Sequence, residues 1–260
     1  MIHLTDNNML MGFESLKKFS NLIHFVTTRH GGISNGAYDS FNCSPFSGDD
    51  EACVKANQEK LKELIGVTNL IIPHQTHGTE VKIVETICSQ QELEGIDALI
   101  TREKNLCLCI STADCVPVFI YDPIKKVIAL IHAGWRGTVA GITGKTIRCM
   151  VREFGVNPED LIGVIGPSIA LNDFEVGDEV YDSFEKKGFE MSAISFFNEK
   201  TQKHHIDLWQ ANIELLVACG VNKRNIEVSG ISTFQYCNDY FSARRLGIHS
   251  GRILSGIMLK

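Results

Sequence analysis

Thr112-Ala113-Asp114-Cys115-Val116-Pro117-Val118-Phe119-Ile120-Tyr121-Asp122-Pro123-Ile124-Lys125-Lys126-Val127-Ile128-Ala129-Leu130-Ile131-His132-Ala133-Gly134-Trp135-Arg136-Gly137 reads as two apolar strands around one turn. Residues 116–121 carry the β-branched and aromatic signature of a strand, 122–126 have turn chemistry, and 127–131 resume the apolar run. A hairpin is therefore predicted, and it would bring Cys115 and His132 to the same open end of a sheet.

Working outward, strands are expected over 22–28, 70–73, 81–84, 97–100, 106–111, 161–165, 226–229 and 253–258. Helical spacing over 51–65 stops at Gly66, and Asp207 caps a helix over 207–219. A further helix is read over 177–187, and Thr138 is read as the cap of one running to about Phe154. Strands and helices interleave without a Pro- or Ser-rich linker, a repeat or a low-complexity tract. The expectation is one α/β domain (α+β, with a mixed sheet) over residues 1–260.

The chain has 260 residues, with 31 Asp and Glu against 25 Lys and Arg, a formal net charge of -6. That balance argues against nucleic acid or an anionic membrane as the main partner, since both select basic surfaces. No apolar run reaches the roughly 18 residues of a membrane span, and the first residues lack the basic and apolar regions of a secretory signal. A cytoplasmic location is expected. The nine cysteines are odd in number and several lie inside apolar runs, so a disulfide framework is not expected. Cys107, Cys109, Cys149 and Cys219 read as core residues.

Cys115 and His132 are both metal-ligating types, and Pro73-His74-Gln75-Thr76-His77-Gly78 offers a third donor from His77 or the competing His74. Catalytic zinc keeps three protein ligands and one open position, which a His/Cys/His trio would satisfy. The same residues would equally permit Cys115 as a thiolate nucleophile with His132 as base. Asp114 adjoins Cys115 but would face the other way unless the backbone turns there. Arg136, beside two glycines at an expected helix start, is a candidate anion contact, as are Arg29 in a Gly-rich loop and the Arg244-Arg245 pair. The plainer reading is that the glycines allow tight helix packing and the arginines pair with surface carboxylates.

Thr27-Thr28-Arg29-His30-Gly31-Gly32, Gln75-Thr76-His77-Gly78, Thr112-Ala113-Asp114-Cys115, His132-Ala133-Gly134-Trp135-Arg136-Gly137, Glu175-Val176-Gly177, Asp207-Leu208-Trp209 and Phe241-Ser242-Ala243-Arg244-Arg245 together resemble the motif series of the YfiH/YlmD laccase-domain family. That family is described both as polyphenol oxidase and as purine nucleoside phosphorylase. The resemblance implies a fold similar to the cytotoxic necrotising factor catalytic domain. It also implies a catalytic metal site of His77, Cys115 and His132, with His74 outside it, holding zinc, in some relatives assigned as copper. The implied reactions are phosphorolysis of adenosine, inosine and S-methyl-5'-thioadenosine, with adenosine deamination as a side activity. Purine nucleosides and phosphate would be the partners, in a monomer or homodimer. Phosphorolysis needs cations beside the sugar and the leaving purine, for which Arg29, Arg136, Arg244 and Arg245 are the expected pool. The chain departs from many relatives at 166–175, where cysteines are absent, and at Ala243, where an aromatic is common. A four-copper oxidase would need many His-x-His pairs, whereas this chain has nine histidines and no such pair.

Overall fold

The computed structural model describes residues 1–5 and 7–260. Its central element is the expected hairpin: Val116–Asp122 pairs antiparallel with Val127–Ala133, Pro117 opposite His132 and Val118 opposite Ile131. At the turn, Asp122 Oδ1 accepts from the backbone N–H groups of Ile124 and Lys125, which fixes the register. Four more strands complete this sheet, in the order Ile226–Val228, Ile162–Ile165, the hairpin, Ala98–Thr101 and Val81–Ile83.

A second six-stranded sheet lies against the first, in the order Ile2–His3, Leu10–Gly12, Leu22–Thr27, Ile253–Leu259, Cys107–Thr112 and Leu70–Ile71. The period of two along each strand sorts residues into layers. Phe119, Tyr121, Ile128 and Leu130 join Leu108, Ile110, Ile253 and Ile257 in a core between the sheets. Val118, Ile120, Ala129 and Ile131 face the other way, onto helices Ile142–Phe154 and Leu208–Ala218. Cys107, Cys109 and Leu254 pack with Leu61 of helix Glu51–Ile65. The result is an α/β/β/α stack in which both sheets are covered on both faces, and this explains why their strands read as unbroken apolar runs. All nine cysteines are free, as expected, although Cys149 and Cys219 are only half-buried. Among the described residues, no helix is long and apolar enough to cross a membrane.

Most elements fall where the sequence places them, and helix Glu51–Ile65 ends at Gly66 with φ +68°. One expectation is corrected. Thr138 caps nothing: it sits inside a separate short helix, Trp135–Val139, and the long helix begins at Ile142 after Gly141 turns the chain at φ +79°. A small sheet of Glu175–Val176, Lys203–Ile206 and Ser195–Asn198 has no counterpart in the sequence reading.

Candidate functional site

His132 leaves its strand on the face that Ile128 and Leu130 turn toward the second sheet, and it is buried. Cys115 stands immediately before the partner strand, half-buried, at the same end of the hairpin. Between Cys115 and the strand Cys107–Thr112, Asp114 adopts φ +85°, the left-handed turn that lets neighbouring side chains diverge. Its carboxylate accepts from Thr233 Oγ1 at 2.6 Å and from the Arg244 N–H at 2.7 Å. Asp114 thus pins the short helix Ala243–Leu246 beside Cys115 and is not free for proton transfer.

His77 comes from the loop that follows Leu70–Ile71, and it is exposed with φ +61°, a conformation costly for a non-glycine residue. Two contacts hold that loop. The Gln75 amide donates to Ser111 O and accepts from Ser111 N, both at 2.8 Å, tying it to the second sheet. Asp97, fully buried ahead of strand Ala98–Thr101, accepts from the N–H groups of His77 at 3.0 Å, Gly78 at 2.7 Å and Thr76 at 3.3 Å. The same carboxylate accepts from His132 Nδ1 at 2.8 Å. One acid therefore orients the His132 imidazole, holds the backbone that carries His77, and leaves Nε2 of His132 for another partner.

The donor atoms of His77, Cys115 and His132 lie within 4.8 Å of one another. Gly134 completes the cradle: a Cβ there would stand 3.0 Å from both Cys115 Sγ and His77 Cδ2. Two imidazole nitrogens and a sulfur, converging with one nitrogen locked by a buried carboxylate, are a donor set that fits a borderline ion such as zinc. Electrostatics point the same way. Burial by itself would raise the Cys115 thiol, but the charge and hydrogen bonding of His132, with His77 adding to them, bring it down to about 6. Burial would lower His132, yet Cys115 and then Asp97 lift it to about 9. Asp97 stays ionised: burial works against its charge, but the His132 hydrogen bond and the loop N–H groups hold its pKa below the usual carboxylate range. A thiolate is the form in which cysteine binds metal or attacks carbon.

Two hollows meet at the trio and share His77, Ala113, Cys115, Ala243 and Ile248. One, of about 200 Å³, is lined by hydroxyls, amides, His74 and Arg252. The other, of about 450 Å³, is walled by Trp135, Phe174, Val176 and Val180, with Arg244 at its edge. His74 does not join the trio; its Nδ1 is 2.6 Å from Glu94 Oε1 and its ring leans on Phe46.

A family model described as "Multi-copper polyphenol oxidoreductase laccase" matches residues 23–260. The chain belongs to this family. It is 52% identical over 268 residues to a protein of Bacteroides thetaiotaomicron named purine nucleoside phosphorylase, covering 100% of this chain and 99% of that protein. A protein of an unknown prokaryotic organism named adenosine deaminase RL5 is 38% identical over the full length of both chains. Among solved structures, the hypothetical protein YfiH of Bacillus licheniformis superposes with a TM-score of 0.90 at 29% identity, covering 98% of each chain. YlmD of Geobacillus stearothermophilus follows at 0.87 and 28%, covering 97% and 99%. These laccase-domain structures share the mixed α/β layered fold.

The structure scatters the four arginines named from the sequence. Arg244 lines the larger hollow, stacks on Phe174 and donates to Glu175 O. Arg29 lines neither hollow: it donates to Asp39 O and Cys237 O and stacks on Phe241. Arg136 is exposed over the Trp135 ring, and Arg245 is exposed over Phe234. The glycines beside Arg136 serve packing, Gly134 against the trio and Gly137 against Gly78 and Ile142. Asp97 and Arg252 were missed, since neither lies in a local pattern that marks its role.

Proposed function

We propose that this laccase-domain chain is a purine nucleoside phosphorylase that also deaminates adenosine, working as a single domain in the cytoplasm at a zinc centre held by His77, Cys115 and His132. The observation that carries the proposal is the convergence of those three donors at the junction of an aromatic-walled hollow and a polar one. The names of the two full-length relatives support the same chemistry. A bound zinc supplies Lewis acidity toward water or a substrate oxygen.

The chain's own residues divide the remaining work. The larger hollow falls within the usual range for small-molecule sites, roughly 300–1,000 Å³, and the Trp135 and Phe174 faces suit a purine. Arg244 at its edge offsets negative charge that develops on the departing base. Asp97 holds His132 and the His77 loop in one geometry, so the ligands need not reorganise during turnover. A four-copper oxidase finds less support, because the described residues form one His/Cys group of this kind.

The test is incubation of zinc-defined protein with adenosine or inosine, with and without phosphate, reading products by chromatography. Phosphate-dependent release of base with ribose 1-phosphate is expected, lost in His77→Ala, Cys115→Ala and His132→Ala. Undiminished turnover in all three variants would overturn the proposal. Activity that survives complete chelation would instead favour a metal-free Cys115 nucleophile.

A further inference from the structure

Arg252 is a cation without a salt bridge, acted on from longer range by the charges of Cys115 and Asp114. It is half-buried beside the trio, in the wall of the smaller hollow, and among the described residues no carboxylate lies within ion-pair range of it. Its guanidinium donates only to carbonyls: Nη1 to Ser250 O and to Gly251 O at 3.1 Å, Nη2 to Ile248 O at 2.9 Å. Those bonds aim the planar fork without neutralising it and leave donors uncommitted.

We infer that Arg252 is the seat of inorganic phosphate. This deepens the phosphorylase reading and rests on it. Size supports the division: the hollow of about 200 Å³ is too small for a whole nucleoside, whose base fits the neighbouring 450 Å³. The shared rim at His77, Cys115, Ala113, Ala243 and Ile248 is where the ribose would bridge the two. Hydrogen phosphate seated at Arg252 forms a bond from one of its oxygens to ribose C1′ while the C1′–N9 bond breaks. The bonding pair leaves with the purine, and the proton carried by phosphate ends on a purine nitrogen.

The experiment is isothermal titration of inorganic phosphate into zinc-loaded, nucleoside-free protein, paired with steady-state kinetics on inosine. The proteins are wild type, Arg252→Gln, Arg252→Lys and Arg136→Gln. Loss of a half-buried charge partner predicts that phosphate binding and the phosphate KM weaken by about 30-fold or more in Arg252→Gln, far more than the inosine KM. Arg252→Lys should fall between, since a point charge replaces the fork. Arg136→Gln should leave phosphate binding unchanged. If Arg252→Gln does not fold, the lysine variant carries the comparison. Phosphate binding that is absent from the wild type, or unaffected by the Arg252 variants, overturns the seat. Arg252-dependent phosphate binding without base release keeps the anion seat and overturns the phosphorylase reading.

Discussion

Asp97→Asn is the substitution that most sharply separates a shaped metal cradle from a chance meeting of side chains. The carboxylate accepts four hydrogen bonds, from His132 Nδ1 and from the N–H groups of Thr76, His77 and Gly78. An amide has one accepting end. With its oxygen toward His132, the NH2 group meets the Gly78 and Thr76 donors; flipped, it meets His132 instead. Either way at least one buried donor is stranded, at about 1–3 kcal/mol each. For a chain of this size that predicts a melting temperature lower by roughly 2–4 °C per kcal/mol. Loosening a ligand's outer partner weakens metal affinity by about 10–100-fold, or about 1.4–2.7 kcal/mol. Chelator competition for zinc and differential scanning calorimetry, on the same preparations, read the two effects. Affinity and melting temperature both indistinguishable from wild type would refute the positioning role.

Two further predictions follow from the geometry. Gly134→Ala has a permitted backbone, φ -67° and ψ 168°, but its Cβ would crowd Cys115 Sγ and His77 Cδ2, so the fold should survive while zinc affinity drops by about tenfold or more; chelator competition with circular dichroism checks both halves. His24 is buried, accepts from the Phe13 N–H at 2.9 Å, and is held by burial at a pKa of about 4 against an ordinary 6.5. Because the folded pKa lies below the unfolded one, its contribution is complete above pH 6.5 and is lost as pH falls toward 4, about 3 kcal/mol in all. Urea unfolding across that window should show the decline, and His24→Gln should flatten it; an equal slope in both proteins would refute the assignment.

Legibility in the sequence followed the range of the interactions. The hairpin is legible because its two apolar runs and the Asp122-Pro123 turn between them are local, and helix Glu51–Ile65 because its apolar residues keep helical spacing up to Gly66. The start of helix Ile142–Phe154 was misplaced because Thr138 has capping chemistry, whereas the actual break depends on Gly141 being left-handed. Strands Ser195–Asn198 and Lys203–Ile206 carry too few apolar residues to show a period, and they exist by pairing with each other. At the site, Cys115 and His132 were readable as partners through the hairpin. Asp97 was not, because a single acid before a strand has no pattern, and its bond to His132 spans 35 residues of sequence. Arg252 likewise carries no local pattern, whereas Arg29 and Arg136 stand near glycines and Arg245 beside Arg244.

Zinc-edge X-ray absorption on the metal-loaded protein tests the central claim most directly. The account predicts one sulfur scatterer at about 2.3 Å and nitrogen or oxygen scatterers at about 2.0–2.1 Å, with the sulfur shell gone in Cys115→Ser. A wild-type spectrum without sulfur, or one that Cys115→Ser leaves unchanged, would contradict it.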